Sequence, residues 1–137
     1  MTMTGRCLCG AVTLRATGIV PEASACHCVM CRRWGGAPFW GMMADSVEAS
    51  GPVRTYRSSP FAERAFCGTC GSHLWIRDDG KSYDLTPGLF DAAKDFPLTR
   101  EVYADRAFAC VPLAGGHPRV TAAEYEAENM FVPGEEL

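Results

Sequence analysis

Seven of the eight cysteines fall into three tight clusters, and this pattern constrains the fold more than any other feature of the chain. Cys7 and Cys9 form a C-x-C, Cys26, Cys28 and Cys31 form a C-x-C-x-x-C, and Cys67 and Cys70 form a C-x-x-C followed by Gly71. Each cluster places two or three thiols on one turn, the arrangement a soft divalent metal requires once the fold brings clusters together. The count is informative. Two pairs make one closed four-thiolate site, and the trio is left as a site with an open position. Closed zinc sites hold structure, whereas three-ligand sites can do chemistry. The expectation is therefore two zinc ions per chain with different jobs.

A disulfide framework fits less well. The N-terminal residues Met1 to Arg6 contain no apolar run of the secretory type, so the expected location is cytoplasmic, where thiols stay reduced. Residues i and i+2 of a strand share a face but lie too far apart to bond each other, because disulfide-linked Cβ atoms sit about 3.8 Å apart.

With 137 residues the chain is expected to form one domain with a modest core. No apolar run approaches a membrane span. The net charge of −3 and the absence of a long Lys/Arg tract argue against nucleic acid as a partner. Arg32, Arg33, Arg54, Arg57, Arg64 and Arg77 interleave with the cysteine clusters, while Glu124, Glu126, Glu128, Glu135 and Glu136 crowd the tail. Most of these charges read as solvated surface. The sharper reading is an arginine-lined mouth for an anionic small molecule beside the metal.

The chain reads mainly as short strands. Alternating or apolar runs lie at Ala11–Ala16, Pro38–Met43, Val53–Arg57, Glu63–Phe66, Ser72–Arg77, Ser82–Thr86 and Glu101–Ala104. Pro38–Met43 reads as a buried strand, and Asp78-Asp-Gly80 is a hairpin-turn signal. Helix is expected only as one turn at Val29–Trp34 and at Thr121–Glu128, where Thr121 and Glu124 have capping-box spacing. The tail from Pro133 is expected to be loose.

Gly10 and Gly71 allow the backbone to turn tightly behind Cys9 and Cys70. Pairing Cys7 and Cys9 with Cys67 and Cys70 leaves no orphan half-site. The other assignment gives the trio a fourth ligand and splits the remaining cysteines, and the spacing leaves it open. His27 lies between two trio cysteines and should point the other way; it is a packed residue, a neighbour of the ligand shell or a proton carrier. His73 and His117 read as ordinary strand and loop residues, Cys110 as a small buried hydrophobe, and Phe39 as core. Trp34 is the better candidate for lining a pocket near the trio.

Three segments together carry a family resemblance: Gly5-Arg-Cys-Leu-Cys-Gly-Ala-Val12, Cys26-His-Cys-Val-Met-Cys-Arg32, and Tyr56 to Leu74 with its Cys67-Gly-Thr-Cys70. The chain resembles the glutathione-dependent formaldehyde-activating (GFA) family, which includes the domain of centromere protein V. The resemblance implies a small zinc-binding, mainly β fold of the β-tent type, built of short antiparallel strands with little helix. It implies a single GFA-type domain over residues 1–137, with a motif-bearing core at about 5–105 and a C-terminal extension at 106–137. Cys7, Cys9, Cys67 and Cys70 match the family's structural zinc ligands. Cys26, Cys28 and Cys31 match the ligands of its catalytic zinc. The implied activity is a carbon–sulfur lyase of the S-(hydroxymethyl)glutathione synthase type, in which a zinc-bound thiolate of a substrate such as glutathione adds to a small aldehyde. A non-catalytic, zinc-stabilised binding module is the alternative. The extension departs from the family pattern: where relatives often carry a Trp, this chain has Cys110.

Overall fold

A computed structural model describes residues 1–133; Glu135 and Glu136, and the tail beyond Pro133, lie outside the described residues. In chain order the strands are β1 (Thr2–Arg6), β2 (Thr13–Thr17), β3 (Ala23–Cys26), β4 (Phe39–Ala44), β5 (Ser46–Ser50), β6 (Val53–Ser59), β7 (Ala62–Cys67), β8 (His73–Asp78), β9 (Tyr83–Leu85), β10 (Leu98–Val102) and β11 (Arg119–Val120). Two short helices, α1 (Val29–Gly35) and α2 (Ala122–Glu126), complete the regular structure with three single 3-10 turns. The fold is mainly β with little helix. Among the described residues no helix is long and apolar enough to cross a membrane.

The chain divides into two compact units. The first comprises Met1–Glu22 and Gly41–Pro97. In it, β1, β2 and β5 form one antiparallel sheet, with Met3 opposite Ala16 and Ala16 opposite Val47. A second antiparallel arrangement runs in the order β4-β9-β8-β7-β6. Strand alternation explains the core. Leu14 and Ala16 point inward from β2 while Thr13 and Arg15 face out, and with Met42, Leu74, Leu85 and Phe90 they form one buried cluster. The β8–β9 connection turns where Asp78-Asp-Gly80 predicts it, with the Lys81 N–H donating to the Asp78 carbonyl at 3.0 Å.

β4 corrects one expectation. Phe39, Gly41, Met42 and Ala44 are buried as expected, but Trp40 is 39% and Met43 50% exposed. The two exposed residues, three apart, lie on opposite faces of the strand, so each face is covered over only part of its length, which apolar composition alone does not reveal.

The second unit comprises Ala23–Trp40 and the chain from Leu98 onward. Its sheet has the order β11-β10-β3, and both pairings are parallel. Parallel neighbours need a long connection rather than a tight turn, and β3 and β10 are far apart in sequence. The sheet registers Glu101 with Ala25 and Val102 with Cys26 on one side, and Glu101 with Arg119 on the other. α2 carries the capping box its sequence predicts: the Thr121 hydroxyl accepts from the Glu124 N–H at 3.2 Å, and the Glu124 carboxylate accepts from the Thr121 N–H at 3.3 Å. A further bond, Ala122 N–H to Asp105 Oδ1 at 2.8 Å, ties this helix to the turn after β10.

Candidate metal centres

Cys7 follows the last residue of β1 and Cys67 is the last residue of β7, so each pair begins where a strand ends and its backbone turns away. The turn after Cys7 closes with Gly10 N–H to Cys7 carbonyl at 3.1 Å, and the turn after Cys67 with Gly71 N–H to Cys67 carbonyl at 2.9 Å. Both glycines take positive φ, 79° and 78°, a conformation that side-chain-bearing residues rarely adopt.

The result gathers four sulfur atoms. Those of Cys7, Cys9, Cys67 and Cys70 all lie within 4.8 Å of one another. Cys7 Sγ is 3.6 Å from Cys9 Sγ, which is 3.9 Å from Cys67 Sγ. Backbone N–H groups aim at the same atoms: Val12 at Cys7 Sγ (3.3 Å), Ala11 at Cys9 Sγ (3.4 Å), and Thr69 and Cys70 at Cys67 Sγ (3.4 and 3.5 Å). Such donors suit ionised sulfur.

Without a cation the four thiols compete for charge. Cys70 is pushed down to about 5, chiefly by the hydrogen bond from the Ser72 hydroxyl. Cys9, although the Ala11 N–H favours its thiolate, is raised to about 11 by burial and by its cysteine neighbours. Like charges this close cannot all form unaided, and a divalent cation removes the conflict. The donor set fits a metal of the zinc class: four soft ligands, closely grouped.

The trio belongs to the second unit. Cys26 ends β3, Cys28 is the N-cap of α1, and Cys31 lies on the helix's first turn. Cys28 has extended backbone (φ −62°, ψ 161°), its Sγ accepts from the Cys31 N–H at 3.4 Å, and its carbonyl accepts from the Arg32 N–H at 2.9 Å. Cap geometry thus sets the C-x-x-C spacing. The three sulfurs lie within 4.8 Å of one another. Hydrogen bonding with Cys28 and Cys31, together with burial, pushes the Cys26 thiol well up. This set also fits a soft cation. Among the described residues it has no fourth His, Cys, Asp or Glu.

His27 points away from these sulfurs into a buried ionic cluster. Its Nε2 is 2.7 Å from Glu101 Oε1; the other carboxylate oxygen, Oε2, takes His117 Nε2 at 2.5 Å and Arg119 Nε at 3.1 Å. Sequence reading treats His117 as a plain loop residue, yet its side chain is only 4% exposed and ion-paired. The signal available was weak: a His and an Arg flanking Pro118, with no fixed spacing to their partner.

The remaining candidates separate. Of the six arginines, Arg54, Arg57, Arg64 and Arg77 belong to strands of the first unit, and Arg57 pairs with Asp79. Arg32 and Arg33 lie on α1 beside the trio. Arg32 stacks over Phe108, 4.6 Å from the ring centroid, and shares a narrow recess with His27, Phe108 and Arg106, an arginine that sequence reading passes over. Trp34 packs against Phe39, with ring centroids 5.8 Å apart, and Phe39 is buried. Cys110 is exposed, which corrects the expectation of a buried thiol; it sits in an irregular loop beside Phe108 and Ala109, which are exposed as well.

The family profile described as glutathione-dependent formaldehyde-activating enzyme matches residues 2–106. The chain belongs to this family. A GFA-family assignment covers both cysteine groups and stops before His117 and Arg119. An uncharacterised lyase of Schizosaccharomyces pombe is 34% identical over 125 residues, covering 88% of this chain and 91% of that protein. A Halomonas elongata protein, named as a candidate glutathione-dependent formaldehyde-activating enzyme, is 33% identical over 91 residues, 57% of each chain. The crystal structure of a Rhodobacter sphaeroides protein shares the fold, with a TM-score of 0.56, 23% identity, and coverage of 71% of this chain and all of that one.

Proposed function

We propose that this chain is a zinc-dependent carbon–sulfur lyase that joins a thiol to a small aldehyde and cleaves the adduct in reverse, with glutathione and formaldehyde as the leading pair. The observation that carries this reading is the three-sulfur group of Cys26, Cys28 and Cys31, with which no fourth His, Cys, Asp or Glu is grouped among the described residues. The family assignment and the names of the two relatives support it. We assign the four-sulfur group of Cys7, Cys9, Cys67 and Cys70 a structural zinc and the trio a catalytic one, two per chain.

A zinc ion held by the trio supplies a positive charge that favours the ionised form of an adjacent substrate thiol. The rest falls to the chain's own side chains. Cys28 and Cys31 are buried residues, which keeps local charge effects strong. Arg32, braced on Phe108, and Arg106 present guanidinium groups beside His27, suited to the carboxylates of a thiol such as glutathione. In the synthetic direction the thiol gives up its proton and the sulfur bonds the carbonyl carbon. The π electrons then move to the oxygen, which takes up a proton. The thiol-rich composition fits a reducing, cytoplasmic setting. We take the two units as parts of one GFA-type domain, its motif-bearing core at about 5–105 and its extension at 106–137.

Thiols add to formaldehyde without a catalyst, so the test measures enhancement. Exchange spectroscopy on a glutathione–formaldehyde mixture should show faster interconversion with the zinc-loaded protein than with a Cys28→Ser control. Equal rates would remove this substrate pair and leave another thiol adduct, or a zinc-stabilised binding module, as the reading.

A further inference from the structure

Glu101 carries a carboxylate 5% exposed, deep in the second unit, with both oxygens engaged: Oε1 by His27, and Oε2 by His117 and Arg119. Burying a carboxylate is costly unless it is paired, and a three-donor set is more than a surface ion pair needs. Its placement gives it a task. Glu101 and Val102 are consecutive on β10 and lie in register with Ala25 and Cys26. The Val102 carbonyl accepts the His27 N–H at 3.0 Å, while Glu101 accepts from the His27 ring at 2.7 Å. His27 is thereby held at both its backbone and its side chain.

Cys26, His27 and Cys28 are consecutive, so fixing His27 fixes the two peptide planes around it, and with them the Cα–Cβ directions of both flanking cysteines. On extended backbone alternate side chains point to opposite sides, which is why the clamp acts from one side and the thiols gather on the other. Hydrogen-bonded partners behind a ligand set commonly orient it in this way. Here the partner acts through a residue between two of the candidate ligands, and two of its own supports, His117 and Arg119, lie beyond the family-matched residues 2–106.

We propose that Glu101 is a positioning residue: through His27 it holds the Cys26–Cys31 loop in the conformation that gathers its three sulfurs, and the C-terminal segment at His117 and Arg119 holds Glu101. This inference rests on the reading of the trio as a ligand set, but it requires neither lyase activity nor a particular metal.

The test is site-resolved alkylation of the native protein, quantified by mass spectrometry of the peptides carrying each cysteine group. Glu101→Gln keeps the shape of the side chain but loses its charge and one acceptor. It should speed alkylation of Cys26, Cys28 and Cys31 by about tenfold, while Cys7, Cys9, Cys67 and Cys70 keep their wild-type rates. Glu101→Asp, which keeps the charge but retracts it by one methylene, should behave like Glu101→Gln; wild-type behaviour would show that only charge matters and overturn positioning. Should Glu101→Gln fail to fold, His117→Ala removes one support and should produce a smaller acceleration confined to the trio. Unchanged trio rates, or equal acceleration of both groups, overturn the proposal. In cobalt-loaded protein the thiolate-to-metal absorption of the trio should change in the same variants, with the four-sulfur site unchanged. If the wild type fails to speed glutathione–formaldehyde exchange but the trio responds to Glu101→Gln as expected, the lyase reading falls and the clamp stands.

Discussion

His27 Nε2 sits 2.7 Å from Glu101 Oε1, across 74 residues of sequence, so the residue between two clustered cysteines is anchored by a distant strand. That link has a pH signature. Burial would raise the Glu101 carboxyl, but hydrogen bonds from His117 and His27, with the charge of Arg119, hold it below its usual value. A carboxyl with a depressed folded pKa contributes stability that is fully present above its unfolded pKa, and loses it as pH falls through the folded one. Glu101→Gln should therefore cost about 3 kcal/mol near neutral pH, as expected for breaking a buried charge cluster. The gap to wild type should narrow in acid, below the ordinary glutamate value of 4.5. Urea unfolding of both proteins over that range measures it; a gap that does not change with pH counts against the assignment of charge.

Metal content follows from the two sulfur groups. Protein prepared without chelator should carry about two zinc ions per chain, the one at the trio leaving first because three ligands hold less tightly than four. Elemental analysis checks the count. One ion or none, with the thiols reduced, would contradict the pairing of the clusters.

Cys67→Ser and Cys28→Ser should differ in kind. Cys67 is buried at the end of β7 and shares its sulfur with three backbone or thiol neighbours, so its loss should cost about 4 kcal/mol or more, the range of a lost structural metal. Cys28→Ser should cost less stability and remove activity. Equal losses in thermal melts would make both sites structural.

Cys110 stands outside both groups and is exposed. Cys110→Ser should leave metal content unchanged, and Cys110 should be the first thiol alkylated in the native protein. A metal lost with Cys110 would show that the ligand sets are wrongly drawn.

Thr121→Ala removes the oxygen that accepts the Glu124 N–H and should destabilise the protein by about 1 kcal/mol. Thr121→Ser should restore most of that, since it keeps the accepting oxygen; failure of Ser to rescue would assign the loss to packing.

The sequence by itself determined what depends on near neighbours. C-x-C and C-x-x-C spacings put thiols on single turns, Gly10 and Gly71 supply the positive φ those turns require, and Thr121 with Glu124 writes a helix start. Period-two alternation marks most of the strands, because a half-buried strand needs it. Tertiary structure decided what depends on distant partners. Apolar residues of β4 do not reveal that Trp40 and Met43 are exposed, and nothing near Cys110 in the sequence marks it as exposed. The parallel registry of β3 with β10 is a long-range pairing without a local turn to announce it. That registry sets Glu101 beside His27, and β11 brings Arg119 to the same carboxylate. A buried ionic cluster is chosen by desolvation, which acts only once the chain has closed around it, so His117 carries no mark in sequence of the charge it meets in the fold.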